Sequence, residues 1–352
     1  MPAIPTSGSS IVLVTGVSGF VGAHVAHAYL QRGFSVRGTA RTLAKGAAIR
    51  AIFDEEFPGK FELVAADVEK AEQLDAAAVG VDGIAHVASP ITTLAPGADP
   101  QLLISPAVNG TLNVLKSAAK AGTVKRVVIT GSVRAILHPQ DAPYTFSSRD
   151  WNDYAVQQVE RLGAGASSDD KYAASKTLAE RAANEWVAQN KPAFDVAHIL
   201  PTWVFGPILQ PYTSLDDMFT TPRILFDVFA VPKSGAALGT TAGSFVHVHD
   251  VARAHVDAHT RAELGGARLI LSTASYVTVQ QYYDAYWSLP EPERPKLPFE
   301  VPKGEPGRPV DEVQDGILKY ETAEDVLGWS FKPIDVVVRD SLADVVEKLY
   351  KA

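Results

Sequence analysis

The stretch Ile11-Val12-Leu13-Val14-Thr15-Gly16-Val17-Ser18-Gly19-Phe20-Val21-Gly22 decides the architecture. Ile11–Thr15 is apolar or β-branched throughout and reads as a strand buried on both faces. From 19 to 31, apolar residues recur at helical spacing (Phe20, Val21, Val25, Ala28, Tyr29), and the pattern stops at Gly33. A glycine-rich turn thus joins strand to helix at the start of a βαβ unit. Gly16 permits the tight turn, Gly19 lets backbone approach a pyrophosphate, and Gly22 lets helix pack closely on strand. The helix start offers free N–H groups and partial positive charge to the phosphates, with Ser18, Phe20 and Val21 in the same turn.

Working outward, the first two-thirds alternates strands with helical patterns, the signature of a parallel sheet covered by helices. Strands are expected at Ser35–Ala40, Phe61–Ala65, 82–87, Arg126–Thr130 and 194–200. Helices are expected at 44–55, 106–121 and 169–189, with an irregular segment at 137–167. Beyond Pro201 the elements shorten: strands 245–248 and Arg268–Leu271, helices 251–263 and 279–287, a loop at 289–309 holding seven prolines, and a helical tail at 334–350. The fold class is α/β, a doubly wound parallel sheet with a smaller, discontinuous C-terminal lobe. Residues 1–200 would mainly bind the dinucleotide and 201–352 the substrate, with about 244–265 returning to the first domain. Ligands bind such sheets at the carboxyl ends of the strands.

The end of the second strand selects the dinucleotide. An NAD site places Asp or Glu there for the ribose 2′-hydroxyl. This chain reads Thr39-Ala40-Arg41-Thr42, followed by Lys45, with no acid nearby. Arg41 can stack on adenine and fork onto a 2′-phosphate, and Lys45 adds a second charge. The cofactor expected is NADPH.

Composition narrows the partners. The chain has 352 residues, no cysteine and a formal charge of −8, which argues against a nucleic-acid surface and removes disulfides and thiolate chemistry. The first ten residues lack the charge pattern of a signal or transit peptide, and 11–30 is too interrupted by polar residues for a membrane span. A cytoplasmic protein is expected, monomer or homodimer, acting on a small molecule.

Tyr172 and Lys176 are four residues apart on a predicted helix, hence on one face. Tyrosine is a poor acid–base group at neutral pH, and a neighbouring ammonium favours its phenolate. These residues resemble the extended short-chain dehydrogenase/reductase family, over nearly the whole chain. The resemblance rests on Thr15-Gly16-x-x-Gly19-Phe20-x-Gly22, Asp67-Val68, Val87-Ala88-Ser89-Pro90, Asn109-Gly110-Thr111, Val124 to Val128, Ser132 and Tyr172-x-x-x-Lys176. Within the family the chain looks like the yeast carbonyl and aldehyde reductases, a group akin to plant dihydroflavonol and cinnamoyl reductases.

The resemblance implies a Rossmann-type fold and reduction of an aldehyde or ketone by NADPH. Tyr172 would donate a proton to the carbonyl oxygen, Lys176 would favour the phenolate and bond the nicotinamide ribose, and Ser132 would hold the oxygen. Asn109 would support the lysine through a water. Asp67 and Val68 would contact adenine, Ala88, Ser89 and Thr130 would line the cofactor, and Pro201, Trp203 and Val204 would border the nicotinamide. Pro90, Val133, Trp203, Phe205 and Phe226 are the further candidate substrate contacts, since ligand pockets are mostly apolar.

Two departures stand out. The family's Thr-Ser-Ser at the fifth strand reads Thr130-Gly131-Ser132, and its later Val-Asp-Val reads Val246-His247-Val248. A nucleotide-sugar epimerase or dehydratase is a rival, but dehydratases carry an Asp-Glu pair where this chain has Val133-Arg134. A cofactor-sensing protein without catalysis could dispense with Ser132, Tyr172 and Lys176. The histidines at 247, 249, 255 and 259 have no acid cluster to complete a metal shell, so no metal is expected.

Overall fold

The computed structural model describes residue 4 and residues 10–89, 95, 97–141, 143–240, 243–273, 276–308 and 318–351. Pro90 and residues 311–317 lie outside the described residues.

Seven parallel strands form the main sheet: β1 (Ile11–Thr15), β2 (Ser35–Ala40), β3 (Phe61–Ala65), β4 (Gly83–His86), β5 (Arg126–Thr130), β7 (Asp195–Pro201) and β10 (Arg268–Leu271). Their order is β3-β2-β1-β4-β5-β7-β10. The order reverses between β1 and β4, the switch point at which doubly wound sheets open a crevice. Val12, Leu13 and Val14 are buried, as a strand covered by helices on both faces requires.

By chain contacts the molecule divides into two compact units. The first takes Met1–Pro139, Ser148–Leu200 and Ala252–Leu269; the second takes Gln140–Ser147, Pro201–Val251 and Ile270–Ala352. The first unit holds α1 (Phe20–Gln31), α2 (Leu43–Glu56), α3 (Ala71–Ala78), α4 (Gln101–Ala121), α5 (Asp153–Leu162), α6 (Ser168–Asn190) and most of α8 (Val248–Thr260). One face of its sheet is filled by Leu13, Leu74, Ile84, Leu115, Val127 and Phe194.

The second unit pairs β6 (Tyr144–Phe146) with β11 (Leu318–Tyr320) and β8 (Trp203–Phe205) with β9 (Phe245–His247). Its helices are α7 (Thr220–Ala230), α9 (Val279–Ser288), α10 (Glu324–Leu327) and α11 (Ile334–Val345). Helix α9 starts at a capping box between Thr278 and Gln281 and packs on α7 and α11.

Several local readings need correction. Helix α4 begins at Gln101, five residues before Pro106, which sits inside it. Proline there forfeits one backbone bond, but the extra turn buries Leu103 and Ile104. Residues 137–167 are not irregular throughout, since they hold β6 and α5. Asn152 caps α5 by accepting from the Ala155 N–H, and Ala155 and Val159 are buried. Helices α3 and α7 were also unforeseen; α7 carries Pro222 in its first turn, where no backbone bond is lost.

Candidate active site

The glycine turn sits at the carboxyl end of β1. Gly16 has φ +76°, a region costly for other residues, and its N–H donates to the Thr39 carbonyl at 3.0 Å. A Cβ on Gly22 would lie 2.2 Å from the Gly16 carbonyl oxygen. Backbone cannot yield there, so glycine is what allows the helix this close. Gly19 caps α1 without a side chain, and no acid occupies the first turn. That donor set suits a pyrophosphate. Arg41 and Lys45 are exposed at the entrance to α2, and neither forms an ion pair among the described residues. Phe20 is buried against His24, and Val21 is half-buried.

Thr15 fixes the neighbouring strand. Its hydroxyl oxygen accepts from the Val87 and Ala88 N–H groups, each at 3.0 Å. Its own proton then goes to Nδ1 of His86, also at 3.0 Å. Burial, reinforced by the Lys176 charge, pushes the His86 pKa down to about 3. This neutral imidazole ties β1 to β4 beside Ala88 and Ser89.

Tyr172 and Lys176 lie on the second and third turns of α6, which Ser167 caps by accepting from the Asp170 N–H. Lys176 is 7% exposed, and its ammonium donates to the Ser89 hydroxyl at 2.7 Å. The same nitrogen lies 5.5 Å from the centroid of the half-buried Tyr172 ring. Ser132 is buried, with its oxygen accepting from the Arg134 N–H at 3.2 Å. It opens the turn Val133–Ala135, which packs on α6. Arg134 fastens that turn to Asp169, three residues before Tyr172.

Lys176, Ala88, Ser89, Thr130 and Val68 line one cavity of about 20 Å³, close to the room a single water needs. Thr130 spends its hydroxyl on His255 at 2.8 Å. Asp67 accepts from the Glu69 N–H at 3.1 Å, and the Val68 carbonyl accepts from Asn113.

Asn109 is not brought to this cluster. It is exposed, whereas Ala107 and Gly110 of α4 line the cavity. The helix phase turns position 109 away from Lys176, which corrects the supporting role expected for it. Three unforeseen residues reach the cavity instead: His86, Glu180 and His198. Glu180 lies one turn beyond Lys176 on α6.

The remaining expected contacts belong to the second unit. Phe205 and Phe226 are each 2% exposed and pack inside it, edge-on to Tyr282 and Phe299 respectively. Val204 is buried, while Trp203 is 44% exposed. In the same unit, His247 meets Asp340 at 3.3 Å and accepts from the His249 N–H. Asp250 lies within the first turn of α8, where it accepts from the Lys332 N–H at 2.7 Å. Among the described residues no helix is long and apolar enough to cross a membrane.

The model of the NAD dependent epimerase/dehydratase family matches residues 12–270. The chain belongs to that family. The match spans the glycine turn, the Tyr172–Lys176 pair and every strand of the main sheet but the first residue of β1 and the last of β10. Members similar to this chain include an uncharacterised oxidoreductase of Schizosaccharomyces pombe, 35% identical over 76% of this chain and 79% of that relative. Aldehyde reductase 2 of Sporidiobolus salmonicolor is 38% identical over 58% of this chain and 60% of its own length. Among solved structures, yeast methylglyoxal/isovaleraldehyde reductase Gre2 complexed with NADPH superposes with a TM-score of 0.79. It is 25% identical, over 96% of this chain and 98% of its own.

Proposed function

We propose that this family member reduces aldehydes or ketones to alcohols with NADPH. The observation that carries the reading is the Lys176 ammonium, held by Ser89 at 2.7 Å and lying 5.5 Å from the Tyr172 ring. A buried ammonium beside a half-exposed phenol is the arrangement proton transfer requires. The reductases among the similar proteins support the same chemistry.

NADPH, when bound, supplies the hydride that reaches the carbonyl carbon. Gly16, Gly19 and Gly22 bring the start of α1 against its pyrophosphate, with Ser18, Phe20 and Val21 alongside. Arg41 and Lys45 take the 2′-phosphate, and Asp67 and Val68 border the adenine. Ala88, Ser89 and Thr130 flank the ribose end that Lys176 bonds, and Pro201, Trp203 and Val204 border the nicotinamide. Ser132 donates to the substrate oxygen, and Tyr172 passes its phenolic proton to that oxygen as the carbon is reduced. The alcohol therefore gains one hydride and one proton, and Lys176 stabilises the phenolate left behind. Val133 and Trp203 are the substrate contacts this reading retains, because the position of Phe205 and Phe226 in the core gives them a packing role. Arg134, committed to Asp169, leaves no acid pair of the dehydratase kind at that turn.

The test is NADPH oxidation by purified protein across a panel of aldehydes and ketones. Consumption only when a carbonyl compound is present is expected. A flat trace across the panel contradicts the reading.

A further inference from the structure

Behind Lys176 lies a polar cluster that the reduction chemistry does not use. Glu180 is 3% exposed and His198 is 2% exposed, and both line the cavity that Lys176 enters. Glu180 Oε1 accepts from Arg268 Nε at 2.6 Å. Its Oε2 is buried with no hydrogen-bond partner among the described residues, and so is His198 Nδ1. These two atoms belong to neighbouring groups, since His198 Nδ1 is 3.9 Å from Glu180 Oε1.

The protonation pattern fixes what they can bind. His198 Nε2 lies 2.9 Å from the Asn184 side-chain oxygen and therefore carries the proton. Burial favours the neutral ring, opposed by Glu180 and aided by Arg268. Nδ1 is thus a lone pair, and Glu180 Oε2 is a second acceptor. Lys176 has three N–H donors, of which Ser89 takes one. Two acceptors and one donor around a space of about 20 Å³ are the partners one water requires.

The site opens where the sequence departs from its family. A Cβ at Gly131 would lie 3.8 Å from Glu180 Oε2, so a serine there would bring a hydroxyl to that oxygen. Glycine brings no hydroxyl there, and Glu180 Oε2 keeps its lone pairs.

Resting on the reductase reading, we propose that Glu180 is a positioning residue. With His198 it holds one buried water that accepts from Lys176 and fixes the ammonium beside Tyr172. The water donates one proton to Glu180 Oε2 and the other to His198 Nδ1.

The experiment compares Gly131→Ala with Gly131→Ser. Both place the same Cβ 2.7 Å from the Leu200 Cδ2 methyl, so packing strain cancels between them and only the hydroxyl differs. The serine variant is expected to retain a kcat about 10-fold above the alanine variant, with KM for the carbonyl within about 2-fold. Glu180→Gln is expected to lower kcat and shift the pH profile, whose other contributors are Lys176, His86 and His198 around the cavity, Arg268 on Glu180 and Tyr172 beside Lys176. A high-resolution crystal structure should show the water within hydrogen-bond distance of Glu180 Oε2 and Lys176 Nζ. Equal kcat for the alanine and serine variants, or a cavity without that water, overturns the proposal. The crystal structure decides this even if no carbonyl is reduced, an outcome that would instead remove the reductase reading.

Discussion

The Lys176 ammonium donates to the Ser89 hydroxyl across 2.7 Å, joining α6 to the carboxyl end of β4. One bond thus aligns the helix that carries Tyr172 with the end of β4. Ser89→Ala removes this anchor while leaving the charge. A hydrogen bond to a charged group contributes roughly 1.5–3 kcal/mol, so kcat/KM should fall about 10-fold or more by steady-state kinetics. An unchanged kcat/KM would deny Ser89 that role.

The contact between Gly22 and the Gly16 carbonyl allows no side chain. Gly22→Ala should push α1 off the turn at a cost of roughly 1–3 kcal/mol. NADPH binding should weaken, and the unfolding midpoint should drop by roughly 1–4 °C. Calorimetry and fluorescence titration read both effects, and wild-type values in both would contradict the cradle.

How much of this could be read from sequence varied by element. The glycine turn was legible because strand, turn and helix are contiguous, and Tyr172 with Lys176 because one helix carries both. Asn109 was misplaced because helix phase within a run depends on which face packs, and Ala107 and Gly110 took the inward positions. Helix α3 buries only Leu74, Ala77 and Ala78 along eight residues, so its period is short and weak. Glu180 and His198 come together only because α6 lies over β7, which no local spacing records.

Arg41 and Lys45 should discriminate between dinucleotides. Arg41→Ala is expected to weaken NADPH about 10-fold or more and NADH by less than about 2-fold, since only the former offers a 2′-phosphate to a charged donor. Lys45→Ala should act in the same direction with a smaller effect. Equal losses for both dinucleotides, measured by titration, would overturn the assignment.

Acid stability follows from His86 and His259, whose pKa values burial lowers from 6.5 to about 3. In the window between those values the unfolded chain binds protons that the folded chain refuses. Their stabilising contribution is therefore complete above pH 6.5 and is lost as pH falls toward 3. The unfolding midpoint should decline steadily through that range, and His86→Gln should flatten the decline. An identical pH slope in the variant would remove His86 from the account.

The most direct test is Tyr172→Phe, which deletes one hydroxyl and keeps the ring. Carbonyl-dependent NADPH oxidation should fall by at least about 100-fold, within the range for loss of a positioned general acid, while NADPH binding stays within about 2-fold of wild type. A variant that turns over at near wild-type rate would contradict the assignment of proton transfer to the Tyr172–Lys176 pair.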